Sequence, residues 1–179
     1  MAFKIGLLGY GTVGTGTAEI ILDSSGRNSL LQDIEIARVG VRTLNKPRFP
    51  ELAAGLITTD LETIVNDPEI DIIVELLGGL EPSRTLILKA IANGKHIVTA
   101  NKAVIARHGA EIYTAANQAG VYVLLEAAVG GGIPVIKPLK QSLGVNRIQT
   151  VIGIINGTCL LYTSTSPRDL ATSRMPSSA

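Results

Sequence analysis

Short runs of Ile, Val and Leu recur along this chain, each about one strand long, and the stretches between them are each long enough for a helix. This alternation leaves few folds open. Residues Phe3–Gly9, Ile34–Arg42, Ile70–Gly78, Lys95–Ala100 and Val121–Ala127 read as strands. Between them, about Val13–Leu22, Asp60–Asp67, Glu81–Gly94 and Arg107–Gly120 read as helices. Asp60 is placed to cap its helix, Pro82 lies in a first turn, and Gly94 and Gly120 close helix ends. Strand–helix–strand units at this spacing build parallel crossovers. Runs such as "IDIIV" and "VYVLL" lack clean two-residue alternation, which fits strands covered on both faces. The expected fold is α/β, a doubly wound parallel sheet.

Composition narrows the class of function. The 179 residues are 46% hydrophobic and 17% charged, with a formal net charge of +1. Such a chain buries a core and carries no global basic footprint for nucleic acid. Its one cysteine, Cys159, excludes an intrachain disulfide and fits a reducing compartment, so a cytoplasmic location is expected. No apolar run reaches the roughly 18 residues that a membrane span needs. The start "MAFKIGLLGYG" has no long apolar leader and reads as the first strand of the protein.

The first strand runs into Gly9-Tyr10-Gly11-Thr12-Val13-Gly14, a G-x-G-x-x-G turn followed directly by a helix. In that setting the pattern is the dinucleotide-binding fingerprint of a Rossmann-like domain. Gly9 permits the tight turn, Gly11 lets a pyrophosphate approach the backbone, and Gly14 lets the helix pack against the strand. The helix N-terminus, with Thr12 and Val13, offers unpaired N–H groups and positive partial charge. At the end of the second strand, NAD-specific sites carry a carboxylate for the ribose 2′-hydroxyl. Here the chain reads "GVRTLNKPR", placing Arg42, Lys46 and Arg48 there. A guanidinium can grip a 2′-phosphate bidentately, so NADP preference or dual use of NAD and NADP is expected; the alternative is a solvated basic loop.

Three further places carry chemistry. Lys102, in "TANK", follows the fourth strand, and ligands in open α/β sheets bind beyond the carboxyl ends of strands. An ammonium there can hydrogen-bond a hydroxyl being oxidised or polarise a carbonyl, with burial aiding proton transfer; the alternative is a surface lysine. Glu126 closes the fifth strand before a loop rich in backbone carbonyls. That hard-oxygen set suits Na⁺ or Ca²⁺ and suits zinc poorly, although Glu126 can equally cap the next helix. Glu75, in "VELLGG", either lines the cofactor cleft or is a solvated strand-end carboxylate.

"GLLGYGTVG", "VELLGG", "GKHIVTANKAVIARHG", "EAAVGGGIPVI" and "GIINGT" occur in the order and spacing of one family. Over about residues 3–158 the chain resembles homoserine dehydrogenase, whose members interconvert L-homoserine and L-aspartate 4-semialdehyde with NAD(P) on the route to threonine and methionine. The resemblance implies that Lys102 serves the cofactor and substrate site as a catalytic residue. It also implies that Gly157, in the Asn156-Gly157-Thr158 turn, lies by the nicotinamide. A structural monovalent cation would be held by the Glu126 side chain and the carbonyls of Val129, Gly131 and Ile133. It further implies a homodimer formed through a second domain. Two other readings stand beside it: a stand-alone NAD(P)-binding regulatory module, and another Rossmann oxidoreductase of small carbonyl compounds.

The expected organisation is a nucleotide domain over residues 1–129, the start of a truncated α+β substrate domain over 130–158, and an unstructured tail over 159–179. In "GGGIPVIKPLKQSLG" an amphipathic helix is expected, with Ile133, Ile136 and Leu139 on one face, and "RIQTVIGIING" reads as a further strand. Residues 163–179 are about half Ser and Thr, with Pro167 and Pro176, a composition that cannot bury a core. From about Leu160 the sequence leaves the family pattern. The tail is expected to be foreign to it, through a frameshift, a chimeric read or a cloning scar, with a genuine disordered extension as the alternative. The family's substrate-binding acidic residue and its Asp and Lys at the reacting group have no counterpart here, so the chain is expected to bind cofactor and to lack turnover alone.

Overall fold

The computed structural model describes residues 2–23, 25, 29–44, 46–47, 50, 52–53 and 55–150. The chain divides into two compact units, residues 1–131 and residues 132–179. In the first unit the elements run β1 (Phe3–Leu8), α1 (Thr12–Leu22), a 3₁₀ turn (Ser29–Asp33), β2 (Ile34–Gly40), β3 (Ile57–Thr58), α2 (Leu61–Asn66), β4 (Ile72–Glu75), α3 (Ser83–Ala92), β5 (His96–Thr99), α4 (Lys102–Ala119) and β6 (Val123–Leu124).

The six strands form one sheet in the order β3-β2-β1-β4-β5-β6, and each neighbouring pair is parallel. The expected α/β doubly wound sheet is present. The direction in which strands are added reverses at β1: β2 and β3 extend the sheet on one side of it, and β4, β5 and β6 on the other. The carboxyl ends of β1 and β4 therefore flank the topological switch point, where this architecture opens a crevice.

Both faces of the central strands are covered, which explains unbroken apolar runs such as "IDIIV"; "VYVLL" departs from that expectation, because edge strand β6 buries Val123 and Leu125 on one face and leaves Tyr122 and Leu124 exposed on the other. Ile5, Leu7, Ile36, Val39 and Val74 pack with Ala18 of α1 on one side. Leu8, Ile73 and Ile97 pack with Ile64, Leu86, Ile87, Val104 and Ile112 of α2, α3 and α4 on the other. Leu7 and Leu8 are both fully buried although they are adjacent in sequence, because their side chains enter opposite cores. At about 25 cal/mol per Å² of apolar surface, burying one such leucine contributes roughly 1.5–3 kcal/mol.

Several sequence expectations shift at element ends. Helix α4 begins at Lys102 and not Arg107, because the Asn101 side chain accepts the Val104 amide and caps it. Val104, Ile112 and Ala116 then share its buried face. Helix α2 is capped by Asp60, which accepts from the amides of Glu62 and Thr63. Gly94 follows the α3 cap residue Asn93, and Gly120 caps α4, both with positive φ. The last strand contracts to Val123–Leu124, since among the described residues it pairs only with β5 and the chain turns into a 3₁₀ helix at Glu126–Ala128. Strand β3 is an addition, two residues too short to show a pattern.

In the second unit the described residues 132–150 contain no strand. The expected amphipathic helix is reduced to a short helical turn over residues 136–142, of which Pro138–Ser142 is π-helical, and Ile133 is exposed. Pro138 lacks an amide hydrogen, so no bond from its nitrogen can hold a regular helix there; its carbonyl accepts instead from Leu143 five residues on, at 3.0 Å. Of the expected strand Arg147–Gly157, residues 147–150 are not in a strand and the rest lies outside the described residues.

Candidate functional site

The glycine loop leaves β1 at the switch point, and each of its glycines meets a distinct steric demand. Gly9 has φ +111°, and a Cβ there would lie 2.9 Å from the Leu76 carbonyl oxygen. Only glycine accepts both the left-handed backbone and the close approach. A Cβ on Gly14 would lie 2.3 Å from the Gly9 carbonyl oxygen, so α1 is seated against the end of β1 as closely as backbone allows. Gly11 is different: a Cβ there meets no protein atom within 4 Å. Its openness is on the side where a ligand would approach.

Beyond this loop lies a cleft of about 820 Å³. Its walls include Gly9, Gly11 and Thr12 from the loop and first turn of α1, Arg42 and Lys46 from the segment after β2, and Leu76 and Leu77 after β4. The first turn of α1 carries no acidic residue to offset the positive end of the helix dipole; the carboxylate that lines the cleft from α1, Glu19, lies further along the helix. The segment after β2 is tied to the glycine loop by the Tyr10 hydroxyl, which donates to the Pro50 carbonyl at 2.9 Å. Gly9 N–H donates to the Gly40 carbonyl at 3.0 Å and Leu76 N–H to the Leu8 carbonyl at 2.8 Å, fixing all three strand ends around the opening.

The structure thus gathers Gly9, Gly11, Thr12, Arg42 and Lys46 at one cleft. Val13 and Gly14 stand in the first turn of α1 beside it, Val13 exposed and Gly14 buried. Arg48 and Gly157 lie outside the described residues. Lys102 is the first residue of α4, at the carboxyl end of β5, and does not line this cleft. Its side chain is exposed and, among the described residues, has no hydrogen-bond or ion-pair partner, so the burial expected for it is absent here. Glu126 opens the 3₁₀ turn, where its own carbonyl accepts from the Val129 amide at 3.1 Å. Val129 and Gly131 follow in the first unit, and Ile133 belongs to the second. Among the described residues no cluster of three or more His, Cys, Asp or Glu side chains could hold a metal.

Glu75 follows neither expectation. It does not line the cleft and is not solvated; it is fully buried. Its carboxylate accepts from Thr99 Oγ1 at 2.7 Å, the Leu77 amide at 3.0 Å and Asn101 Nδ2 at 3.3 Å. Thr99 and Asn101, within the quoted "TANK", were open to detection as a strand-end hydroxyl and a helix-capping Asn, the second being a recognised helix-start signal. Leu76 and Leu77 were detectable only by applying the strand-end rule to β4 as well as β1.

With this geometry in place, the family model for the homoserine dehydrogenase NAD-binding domain matches residues 9–126. The chain belongs to the homoserine dehydrogenase family. A homoserine dehydrogenase of Synechocystis sp. is 70% identical over 158 residues, covering 88% of this chain and 36% of that protein. The crystal structure of a homoserine dehydrogenase from Thiobacillus denitrificans aligns with a TM-score of 0.81 at 49% identity, covering 92% of this chain and 38% of the other. A hyperthermophilic archaeal homoserine dehydrogenase, solved in complex with NADPH, shares the fold at a TM-score of 0.63 and 22% identity, covering 78% of this chain and 48% of that one. The chain spans little more than a third of the length of its curated homoserine dehydrogenase relatives, and the matched part is the NAD-binding domain. Among the described residues no helix is long and apolar enough to cross a membrane.

Proposed function

We propose that this chain is the nucleotide-binding part of a cytoplasmic enzyme that interconverts L-homoserine and L-aspartate 4-semialdehyde, in threonine and methionine biosynthesis, with NADP preferred over NAD. The observation that carries the cofactor assignment is the cleft over the glycine loop with Arg42 and Lys46 in its wall. When bound, the nicotinamide gives or takes the hydride. The residues of this chain do the rest of what is assigned here. Amides of the first turn of α1 bind the pyrophosphate, for which the open space at Gly11 leaves room. Arg42 and Lys46 neutralise a ribose 2′-phosphate, which a carboxylate at the same place would repel.

Lys102, the cation at the carboxyl end of β5, is assigned to both the bound cofactor and the substrate oxygen, whose proton it holds or passes. Glu126 with the carbonyls of Val129 and Gly131 is an all-oxygen set, the chemistry of a monovalent cation. Homodimerisation belongs to the same reading, through the family's second domain. The cofactor assignment is tested by titrating NADPH and NADH into the wild type and an Arg42→Asp variant. Loss of one charge-assisted contact and gain of a repulsive one lowers the NADPH-to-NADH affinity ratio at least about tenfold. An unchanged ratio refutes it.

A further inference from the structure

The buried carboxylate of Glu75 has no part in the cofactor chemistry assigned above, and its connections run toward Lys102. Strands β4 and β5 pair so that Glu75 stands opposite Thr99, the last residue of each strand. Glu75 Oε2 accepts the Thr99 hydroxyl; Glu75 Oε1 accepts the Leu77 amide and Asn101 Nδ2. Thr99 Oγ1 in turn accepts the Asn101 amide at 3.0 Å. Asn101 Nδ2 also donates to the Gly79 carbonyl at 2.7 Å, while its Oδ1 caps α4 through the Val104 amide at 3.2 Å. One carboxylate therefore joins the loop after β4, whose Leu77 lines the cofactor cleft, to the turn after β5 and the first turn of α4.

An apolar side chain would fill this space with less desolvation cost. What the carboxylate adds is direction: two oxygens fix three donors, and those donors fix where α4 begins. Lys102 is the first residue of that helix. We infer that Glu75 is the positioning residue for Lys102, holding the α4 start at a set distance from the Leu77 wall of the cofactor cleft. This rests on the assignment of Lys102 to the cofactor and substrate site.

The test is a double-mutant cycle on NADPH affinity of the chain, using Glu75→Gln, Lys102→Ala and the pair, with thermal unfolding of each variant. Lys102→Ala weakens NADPH binding. Glu75→Gln, which keeps the volume and loses one acceptor, weakens it about three- to tenfold in the wild-type background and has no effect once Lys102 is gone. A residue that only stabilises the fold would lower Tm and weaken binding equally in both backgrounds, which overturns the inference and leaves the Lys102 assignment standing. If Lys102→Ala alone leaves NADPH affinity unchanged, the Lys102 assignment fails and the inference falls with it. Should Glu75→Gln not fold, Thr99→Val deletes a single donor to the same carboxylate. It carries the same prediction of dependence on Lys102.

Discussion

Replacing Gly14 by Ala separates the steric role of the glycine loop from its role at the ligand. The added Cβ would lie 2.3 Å from the Gly9 carbonyl oxygen and 3.1 Å from its carbonyl carbon, against 3.4 Å or more for ordinary contact. Both partners are backbone, so α1 must move away from the end of β1 by about 1 Å, overpacking that costs roughly 1–3 kcal/mol. Against this, Ala in a helix interior gains up to about 1 kcal/mol over Gly. The net expectation is a loss of about 1–2 kcal/mol, which for a unit of this size lowers Tm by roughly 3–10 °C. Displacing the first turn of α1 also withdraws its amides from the cleft, so NADPH affinity falls at least about tenfold.

Two neighbouring glycines provide the contrast. A Cβ on Gly16 meets nothing within 4 Å, so Gly16→Ala raises stability by up to about 1 kcal/mol through helix propensity alone. Gly11→Ala is likewise unopposed by protein atoms, and its φ of −91° suits any residue. It leaves Tm within about 2 °C while placing a methyl group where the ligand approaches, so NADPH affinity drops with the fold intact. Differential scanning calorimetry with fluorescence titration of NADPH reads all three. Equal Tm losses for Gly11→Ala and Gly14→Ala, or a Gly14→Ala chain with unchanged Tm and affinity, refute the reasoning.

Charge and burial give two further expectations away from the cleft. Arg84 is paired with Glu111 and Glu81, and hydrogen bonding and charge within this group, with Thr85 the first contributor at Glu81, hold both carboxyls below their usual range. Their contribution to stability is present above about pH 4.5 and is lost as pH falls through the lowered folded-state values; urea unfolding of Arg84→Ala against wild type shows a gap at pH 7 that narrows toward pH 3. Lys95 is buried at the opposite end of the sheet, where its ammonium donates to the carbonyls of Asp67 and Ile70, the latter at 2.7 Å. Burial pushes its pKa below 10.5, so the unfolded chain binds the extra proton and stability rises with pH toward 10.5. Lys95→Met removes that rise and costs about 1–3 kcal/mol at pH 7 by taking the lysine donor from the Ile70 carbonyl, while the Asp67 carbonyl keeps the Ile70 amide; a variant with the wild-type pH slope contradicts this.

The sheet was legible because its central strands are buried on both faces, so Leu7-Leu8 and Ile72-Ile73-Val74 form runs that no exposed element would carry. The glycine loop was legible because its spacing encodes steric demands that hold wherever a helix follows a strand this closely. What sequence could not convey was context set by distant partners. Two-residue β3 exists only because Val39 and Gly40 offer it backbone groups. Glu75 reads as an ordinary polar strand end until Thr99 and Asn101 are brought alongside it from 24 and 26 residues away. The start of α4 was masked for a related reason: "TANKAVIA" reads as a ligand loop, its one helix-start signal is Asn101, and the capping bond that the Val104 amide donates to Asn101 Oδ1 shows the helix already under way.

The most direct test of the central claim is an NMR titration of the ¹⁵N-labelled chain with NADPH and, in parallel, NADH. NADPH is expected to bind saturably and to shift the amides of Gly9, Gly11, Thr12 and Arg42 together, with NADH weaker by about tenfold or more for want of the 2′-phosphate. A folded chain whose glycine-loop amides do not move with either nucleotide would contradict it.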